Sequence, residues 1–366
     1  NPDVDVLVEL VGGTDIAYEL VKLAIAKGKH VVTANKALIA QFGNELIALA
    51  ESVNVQLRFE AAVGGGIPII KTLKEGLAAN RVIEIAGILN GTGNFIMTEM
   101  SRAGRSFEGV LKEAKTLGYA EADPTFDIDG TDVSQKLAIL ASISFGTPLN
   151  AAAIYREGIE KINEIDLMYA AELGYRIKHL GIARRFQDQS LEIRVHPTLI
   201  PDSQFLARVD GVLNGVLIKG DAVEDLLMVG PGAGGRATAS AVCADLLDIA
   251  LKRGSDARFA LGLPIAKLIE TGFKSPENFK SEWYIRLSAV DRPGVISEIT
   301  GILASHDISV ESLMQKPPSP GQSEVPIVMV TDVNETSSFR PAIVEISKLK
   351  DVDAAISALR IESFGS

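Results

Sequence analysis

The densest group of chemically useful side chains lies between Ala114 and Lys136. Glu121, Asp123, Asp127, Asp132 and Lys136 occur there among Gly118, Tyr119, Pro124 and Gly130. Asp132 and Lys136 are four residues apart, so on a helix they share one face. Beyond Lys136, the run Leu137–Phe145 has no ionisable residue, which predicts a buried helix with the lysine at its mouth. An Asp-Lys pair at this spacing is often only a solvated surface ion pair. A cluster of carboxylates beside a lysine that borders apolar surface is also what general acid catalysis needs, because burial and charged neighbours tune the lysine. Asp127 and Asp129 either orient that lysine or cap the helix; the sequence leaves both open. His30, His179, His196 and His306 have no metal-ligand spacing and read as structural. Cys243, in the apolar run Ala241–Ala250, reads as a buried thiol.

The elements that would carry these groups begin with a short apolar strand, Val4–Val11, of the kind buried on both faces in parallel sheets. Gly12-Gly13-Thr14-Asp15 leads into a helix from Ile16 to Ala26, which Gly28 closes. A strand His30–Thr33, a helix over 43–53 and a strand Val55–Phe59 follow. This alternation is the βαβ rhythm of a doubly wound fold. Right-handed crossovers place Gly12-Gly13-Thr14, Asn35-Lys36 and Glu60 at one sheet edge, where ligands bind.

A second region opens at Gly64-Gly65-Gly66 and Pro68, with a helix expected to about Ala79. A strand Val82–Leu89, a turn Asn90–Asn94 into a helix, a helix over 107–117 and the helix ending at Phe145 follow. Later strands are expected at Leu191–His196 and Gly215–Lys219. The run Gly230–Gly235 closes the region, and a helix from Thr238 to Lys252 is expected to pack back on the first unit. After a polar linker over 273–282, Trp283–Val290 alternates as a strand, and Asp291-Arg292-Pro293-Gly294 turns into a helix over 295–305. Strands Ile308–Gln315 and Val325–Asp332, separated by a Pro/Ser/Gly loop over 316–324 expected to move, a helix near 339–349 and a strand Ala358–Glu362 complete a βαββαβ pattern.

A chain of 366 residues accommodates two or three domains, and 47 % hydrophobic with 23 % charged residues allows sizeable cores. The formal charge of −11 disfavours nucleic acid and anionic membrane as partners. A single cysteine excludes an internal disulfide framework and suits a reducing cytoplasm. No apolar run is long enough to span a bilayer.

The segment 114–136 resembles the homoserine dehydrogenase signature: an Ala, Gly-aromatic, Asp-Pro, Asp-Ile-x-Gly-x-Asp and the lysine. The likeness runs over roughly 1–265 and includes Thr33–Lys36, Glu60–Ile67 and Gly230–Gly234. It implies an NAD- or NADP-dependent enzyme that interconverts aspartate 4-semialdehyde and homoserine. By the same resemblance, Lys136 donates the proton to the aldehyde oxygen and Lys36 is a second lysine near substrate and cofactor. Glu121 and Asp132 hold the substrate, with Asp127 beside them. Thr14 contacts the nicotinamide side, and Gly118 and Gly234 let the backbone approach the cofactor. Glu60, Val63, Gly65 and Ile67 resemble the family's Na⁺ site, one carboxylate plus carbonyls; read alone, the glycines form a tight turn.

Residues 284–366 resemble an ACT domain, most clearly over Leu287–Val310. Such modules pair with their own kind and bind an amino acid; in this family the implied ligand is threonine. The resemblance further implies a cytoplasmic homodimer or homotetramer. The expected architecture is α/β: an incomplete Rossmann-like unit (1–62 plus a returning helix 236–256), an α+β catalytic and dimerisation domain (63–235), a linker region (257–283) and a ferredoxin-like ACT domain (284–366). The Gly-x-Gly-x-x-Gly fingerprint is not found after the first strand and is expected upstream of Asn1, so that this stretch by itself binds cofactor poorly. Two other readings are an oxidoreductase for a different small aldehyde and a non-catalytic amino-acid sensor. A fusion to an aspartokinase is disfavoured by the C-terminal place of the ACT-like segment.

Overall fold

The computed structural model describes residues 1–251, 259–316 and 324–364. The first unit is a parallel three-stranded sheet, β1 (Val6–Glu9), β2 (His30–Thr33) and β3 (Leu57–Arg58), linked by α1 (Asp15–Ala26) and α2 (Lys36–Ser52). Ala17, Val21 and Ile25 on α1 and Leu38, Ile39, Leu46 and Ile47 on α2 recur at helical spacing and are buried against the strands. Each large aliphatic among them contributes about 1.5–3 kcal/mol of burial. Asn35 caps α2 by accepting from the Leu38 N–H, and its amide donates to the Gly13 carbonyl at 2.6 Å. That pair of bonds ties the loops after β1 and β2 together at the expected ligand edge.

A different outcome follows Pro68. The long helix expected to Ala79 is instead α3 (Ile69–Lys71) running into a π-helical turn, Thr72–Gly76. Glu60 accounts for its start: its carboxylate accepts from the N–H groups of Ile70 and Lys71, both at 2.9 Å. The Leu77 N–H then reaches back to the Thr72 carbonyl, widening the last turn.

The remaining elements are β4 (Val82–Ile88), α4 (Gly91–Ala103), α5 (Phe107–Thr116), α6 (Thr125–Ile128), α7 (Thr131–Phe145), β5 (Tyr155–Arg156), α8 (Glu164–Glu172), β6 (Tyr175–Arg185), β7 (Leu191–Pro201), β8 (Leu213–Gly220), β9 (Glu224–Pro231) and α9 (Gly235–Ala250). The C-terminal unit supplies β10 (Lys280–Val290), α10 (Val295–Ser305), β11 (Val310–Gln315), β12 (Glu324–Thr331), β13 (Asn334–Glu335), α11 (Thr336–Ile346) and β14 (Ser357–Ile361). Thus β10 begins inside the segment expected as linker. Of that linker, 257 and 258 lie outside the described residues, as do the end of the returning helix, 252–256, nearly all of the loop expected to move, 317–323, and the last two positions, 365 and 366, of the stretch expected as ACT domain.

Both units share one sheet of 11 strands, in the order β11-β12-β10-β14-β7-β6-β4-β8-β9, with β5 and β13 on its flanks. The junction is the parallel pairing of β14 with β7, Arg360 opposite Thr198 and Ile361 opposite Leu199. Buried charges lock it. Arg360 donates to Glu157 at 2.8 Å, Glu362 accepts from Arg184 and Arg194, and Arg286 grips Asp166 through two nitrogens.

Helix α7 lies on β6 and β7, and glycine sets how closely. A Cβ at Gly181 would stand 3.1 Å from Val133 Cγ1 and 3.3 Å from a Leu137 methyl, so even an alanine there would press on the side chains by which the helix carrying Asp132 and Lys136 seats itself. Gly130 precedes the helix at φ +86°, a left-handed turn that glycine adopts without strain.

Candidate active site

At the mouth of α7, Asp132 and Lys136 are 4 % and 8 % exposed. Lys136 Nζ donates to Asp132 Oδ2 and to the Leu89 carbonyl at the end of β4, both at 2.7 Å. Lys36, in the first turn of α2, reaches across from the first unit and places its Nζ 3.0 Å from Asp132 Oδ1. One carboxylate therefore bridges two ammonium groups borne by two different units. Burial alone would raise the pKa of Asp132, but the two lysines and an amide outweigh it and hold the group at about 2. Burial likewise opposes the charge of Lys36, and Asp132 more than compensates, so its pKa lies above the ordinary value.

The amide belongs to Asn90, which joins β4 to α4. Its Oδ1 caps α4 by accepting from the Gly93 N–H at 2.7 Å. Its Nδ2 donates to Asp127 Oδ1 at 2.8 Å and to Asp132 Oδ2 at 2.9 Å. Burial raises the pKa of Asp127, with Asn90 and the lysines pulling the other way. Asn214 on β8 donates to the same Leu89 carbonyl as Lys136, at 3.1 Å. The two aspartates left ambiguous by the sequence now separate. Asp127 joins the cluster, whereas Asp129 accepts from the Thr131 N–H and hydroxyl and starts α7.

Glu121 is exposed and lines an open cleft of about 660 Å³ with Glu9, Gly12, Gly13, Asn35, Lys36, Gly235, Thr238 and Cys243. The cleft runs along the C-terminal edge of the parallel sheet, past the start of α1. Thr14 precedes α1 there, its hydroxyl turned to Asp15. The cleft suits a dinucleotide on an observation of its own: Gly12 and Gly13 have left-handed φ and no atom within 4 Å of where a Cβ would stand, so a ligand can come close to this loop, whose shape is held by the Gly12 N–H donating to Glu9 and the Gly13 carbonyl accepting from Asn35. No protein atom lies within 4 Å of a Cβ at Gly118 or Gly234, and both have positive φ, +74° and +109°, which glycine adopts without strain.

One further expectation changes. Cys243 is exposed on the cleft wall rather than buried, because its face of α9 looks into the opening. The Glu60 carboxylate accepts from two backbone N–H groups at the start of α3. The glycine at 65 is explained by packing: a Cβ there would fall 2.5 Å from the Gly232 carbonyl oxygen. Burial and the neighbouring Asp245 raise the pKa of Glu60 to about 7. Among the described residues no group of three or more His, Cys, Asp or Glu side chains could hold a metal ion. The histidines are bonded within the fold: His179 pairs with the Glu157 carbonyl, and its burial lowers its pKa to about 4.

Asn90 and Asn214 are the site residues that sequence reasoning passed over. Asn90 lay in a stretch rich in glycine that read only as a turn, and Asn214 carried no signal before β8 was placed.

Among the described residues no helix is long and apolar enough to cross a membrane. The family model described as "Homoserine dehydrogenase, NAD binding domain" matches residues 1–60, that of homoserine dehydrogenase residues 68–247, and that of the ACT domain residues 283–350. The homoserine dehydrogenase of Neisseria gonorrhoeae is 49 % identical over 364 residues, spanning 99 % of this chain and 83 % of that one. That of Pseudomonas aeruginosa is 48 % identical over 365 residues, spanning 99 % and 84 %. A crystal structure of a homoserine dehydrogenase from Thiobacillus denitrificans superposes with a TM-score of 0.94 at 49 % identity, covering 100 % of this chain and 83 % of that one. A hyperthermophilic archaeal homoserine dehydrogenase solved in complex with NADPH gives a TM-score of 0.59 at 32 % identity over 68 % of this chain and 72 % of that one. The chain therefore belongs to the homoserine dehydrogenase family, as an NAD(P)-dependent oxidoreductase acting on a CH–OH group and carrying an ACT domain.

Proposed function

We propose that the cluster around Asp132 is where L-aspartate 4-semialdehyde and L-homoserine are interconverted, in the biosynthesis of threonine, methionine and isoleucine. The observation that carries this reading is the single carboxylate shared by Lys136 and Lys36 beside an open nucleotide cleft. The bound nicotinamide of NAD or NADP supplies or accepts the hydride. Gly12, Gly13, Thr14, Lys36, Gly118 and Gly234 are the residues that would border it. Lys136 gives its proton to the carbonyl oxygen as the aldehyde is reduced, and takes it back from the hydroxyl in the reverse direction. Asp132 fixes both lysines, so that two positive charges face the oxygen on which negative charge develops. Glu121 and Asp127 receive the substrate's α-ammonium group, for which paired acidic groups provide charge-assisted bonds. Asp132 already accepts from Lys36, Lys136 and Asn90, so its part in holding substrate runs mainly through those lysines. A monovalent cation such as Na⁺ would be held by the Glu60–Ile67 loop, with Glu60 and the main-chain carbonyls of Val63, Gly65 and Ile67 as the oxygen ligands, and takes no part in the proton steps.

Threonine, bound at the C-terminal ACT domain, lowers the activity. The turn Asp291–Gly294 before α10, with Gly294 at φ +100°, leaves backbone donors open to a small amino acid. Dimers or tetramers fit the open edge of β11 at the end of the sheet. The test is the rate of semialdehyde-dependent oxidation of NADPH and of NADH, with and without threonine. Turnover that threonine suppresses supports the whole reading. Turnover that threonine leaves unchanged removes the feedback and keeps the reaction. No turnover with either cofactor, in a folded protein shown to bind the nucleotide, would overturn the reading.

A further inference from the structure

The buried amide of Asn90 is fully used. An Asn side chain offers two N–H donors and one carbonyl acceptor. Here the acceptor caps α4 through Gly93, and the donors reach Asp127 and Asp132. The cap fixes which end of the amide faces the carboxylates. Asp127 and Asp132 lie on different helices, α6 and α7, and would repel one another without a donor between them. Among the described residues no lysine takes this place toward Asp127, for the ion pairs of Lys36 and Lys136 both go to Asp132.

We propose that Asn90 is a positioning residue for the reaction: it pins Asp127 to the lysine-bridging Asp132 and keeps Asp127 an anion aimed at the substrate's ammonium group. This rests on the reading of Asp127 as a substrate-binding carboxylate. The consequence is directional. A carboxylate that accepts a hydrogen bond is favoured as the anion, and burial already pushes Asp127 the opposite way. Loss of the Asn90 donor therefore moves the proton uptake of Asp127 to higher pH. Activity that needs the ionised form then disappears earlier on acidification.

Serine at position 90 separates capping from positioning, because its hydroxyl caps a helix as well as asparagine does but supplies no pair of amide donors. Asn90→Asp keeps the cap and adds a like charge between the two aspartates. The experiment is the pH profile of kcat/KM for wild type, Asn90→Ser, Asn90→Asp and Asp127→Asn, with urea denaturation of each. The expected result for Asn90→Ser is a fall in kcat/KM of about tenfold or more and an acid limb displaced upward by about half a pH unit or more, with Asn90→Asp displaced further. Should Asn90→Ser not fold, Asn90→Asp is read by the same criterion. An acid limb unchanged in the folded Asn90 variant overturns the proposal, whatever the loss of rate, since a purely structural role would leave it in place. If Asp127→Asn also leaves the substrate KM unchanged, the reading of Asp127 fails with it; if Asp127→Asn raises KM, only the role of Asn90 fails.

Discussion

Lys136→Met keeps most of the side-chain volume and removes one charge from a site where two groups, Asp132 and the Leu89 carbonyl, bond to it. The chemical cost follows from its proposed role: a lost general acid lowers kcat by at least about a hundredfold, or about 2.7 kcal/mol in the barrier. The structural cost is smaller. Removing one partner of a buried ion pair destabilises by about 3–5 kcal/mol when it strands the other charge. Here Asp132 retains Lys36 at 3.0 Å and Asn90 at 2.9 Å, and the Leu89 carbonyl retains Asn214 at 3.1 Å. No group is stranded, so the expected loss of stability is about 1–2 kcal/mol, and the variant stays folded. Initial rates followed through nicotinamide absorbance, in both directions and across substrate concentrations, separate kcat from KM; urea denaturation gives the stability. The expected pattern is a collapse of kcat with KM changed by only a few fold. A folded variant that turns over within about tenfold of wild type would remove Lys136 from the proton transfer.

The complementary pattern is expected for Glu121→Gln: KM for the amino-acid substrate rises by about tenfold or more through loss of a charge-assisted bond, and kcat changes less. An unchanged KM, read from the same rate curves, would place the ammonium elsewhere. Stability on acidification tests Asp132. Its carboxyl is held at about 2 against an ordinary 3.8, so its contribution is present above the unfolded value and is lost as pH falls from about 4 towards about 2. The shift corresponds to roughly 2–3 kcal/mol. Urea denaturation of wild type and Asp132→Asn across that window should show the loss in the first and not in the second; parallel curves would count against the ion-pair geometry.

Where the pattern of apolar residues was the cause of structure, the sequence was readable. The βαβ alternation of residues 1–62, α10 and the buried run after Lys136 all appear in the expected order, although α2 begins at Lys36, where Asn35 caps it, rather than at 43. Strand β6 was missed for a physical reason. Its sequence, Tyr175–Arg185, carries buried basic side chains that are neutralised only by distant partners: Lys178 by Asp210, and Arg184 by Glu84 and Glu362. Charge pairs made with partners 32 to 178 residues away leave no local trace. The same holds for Asn90, whose partners Asp127 and Asp132 come from another part of the chain. Cys243 was misplaced because an apolar run predicts burial, whereas α9 turns part of that run, with Leu247, towards solvent and the cleft. In the cluster itself, Glu121, Asp127, Asp132 and Lys136 were identifiable from residue type and spacing, and Lys36 as a polar group at the sheet edge that only the family resemblance brought to the substrate; the bridging of both lysines by one carboxylate was not legible. That depends on how two separately folded segments meet.

The pairing of β14 with β7 also bears on how such a protein can be taken apart or recombined. Cutting the chain before Lys280 would uncover the edge of β7 and leave Arg194, a guanidinium with no solvent exposure, without Glu362 and Ser281. Regulatory and catalytic units should therefore melt in one cooperative transition, and a truncated enzyme would report on a broken sheet as much as on missing feedback. A gene fusion that exchanged this C-terminal unit at the preceding connection would have to bring along a matching edge strand and its acidic residue. The unit of inheritance here is larger than the unit of regulation.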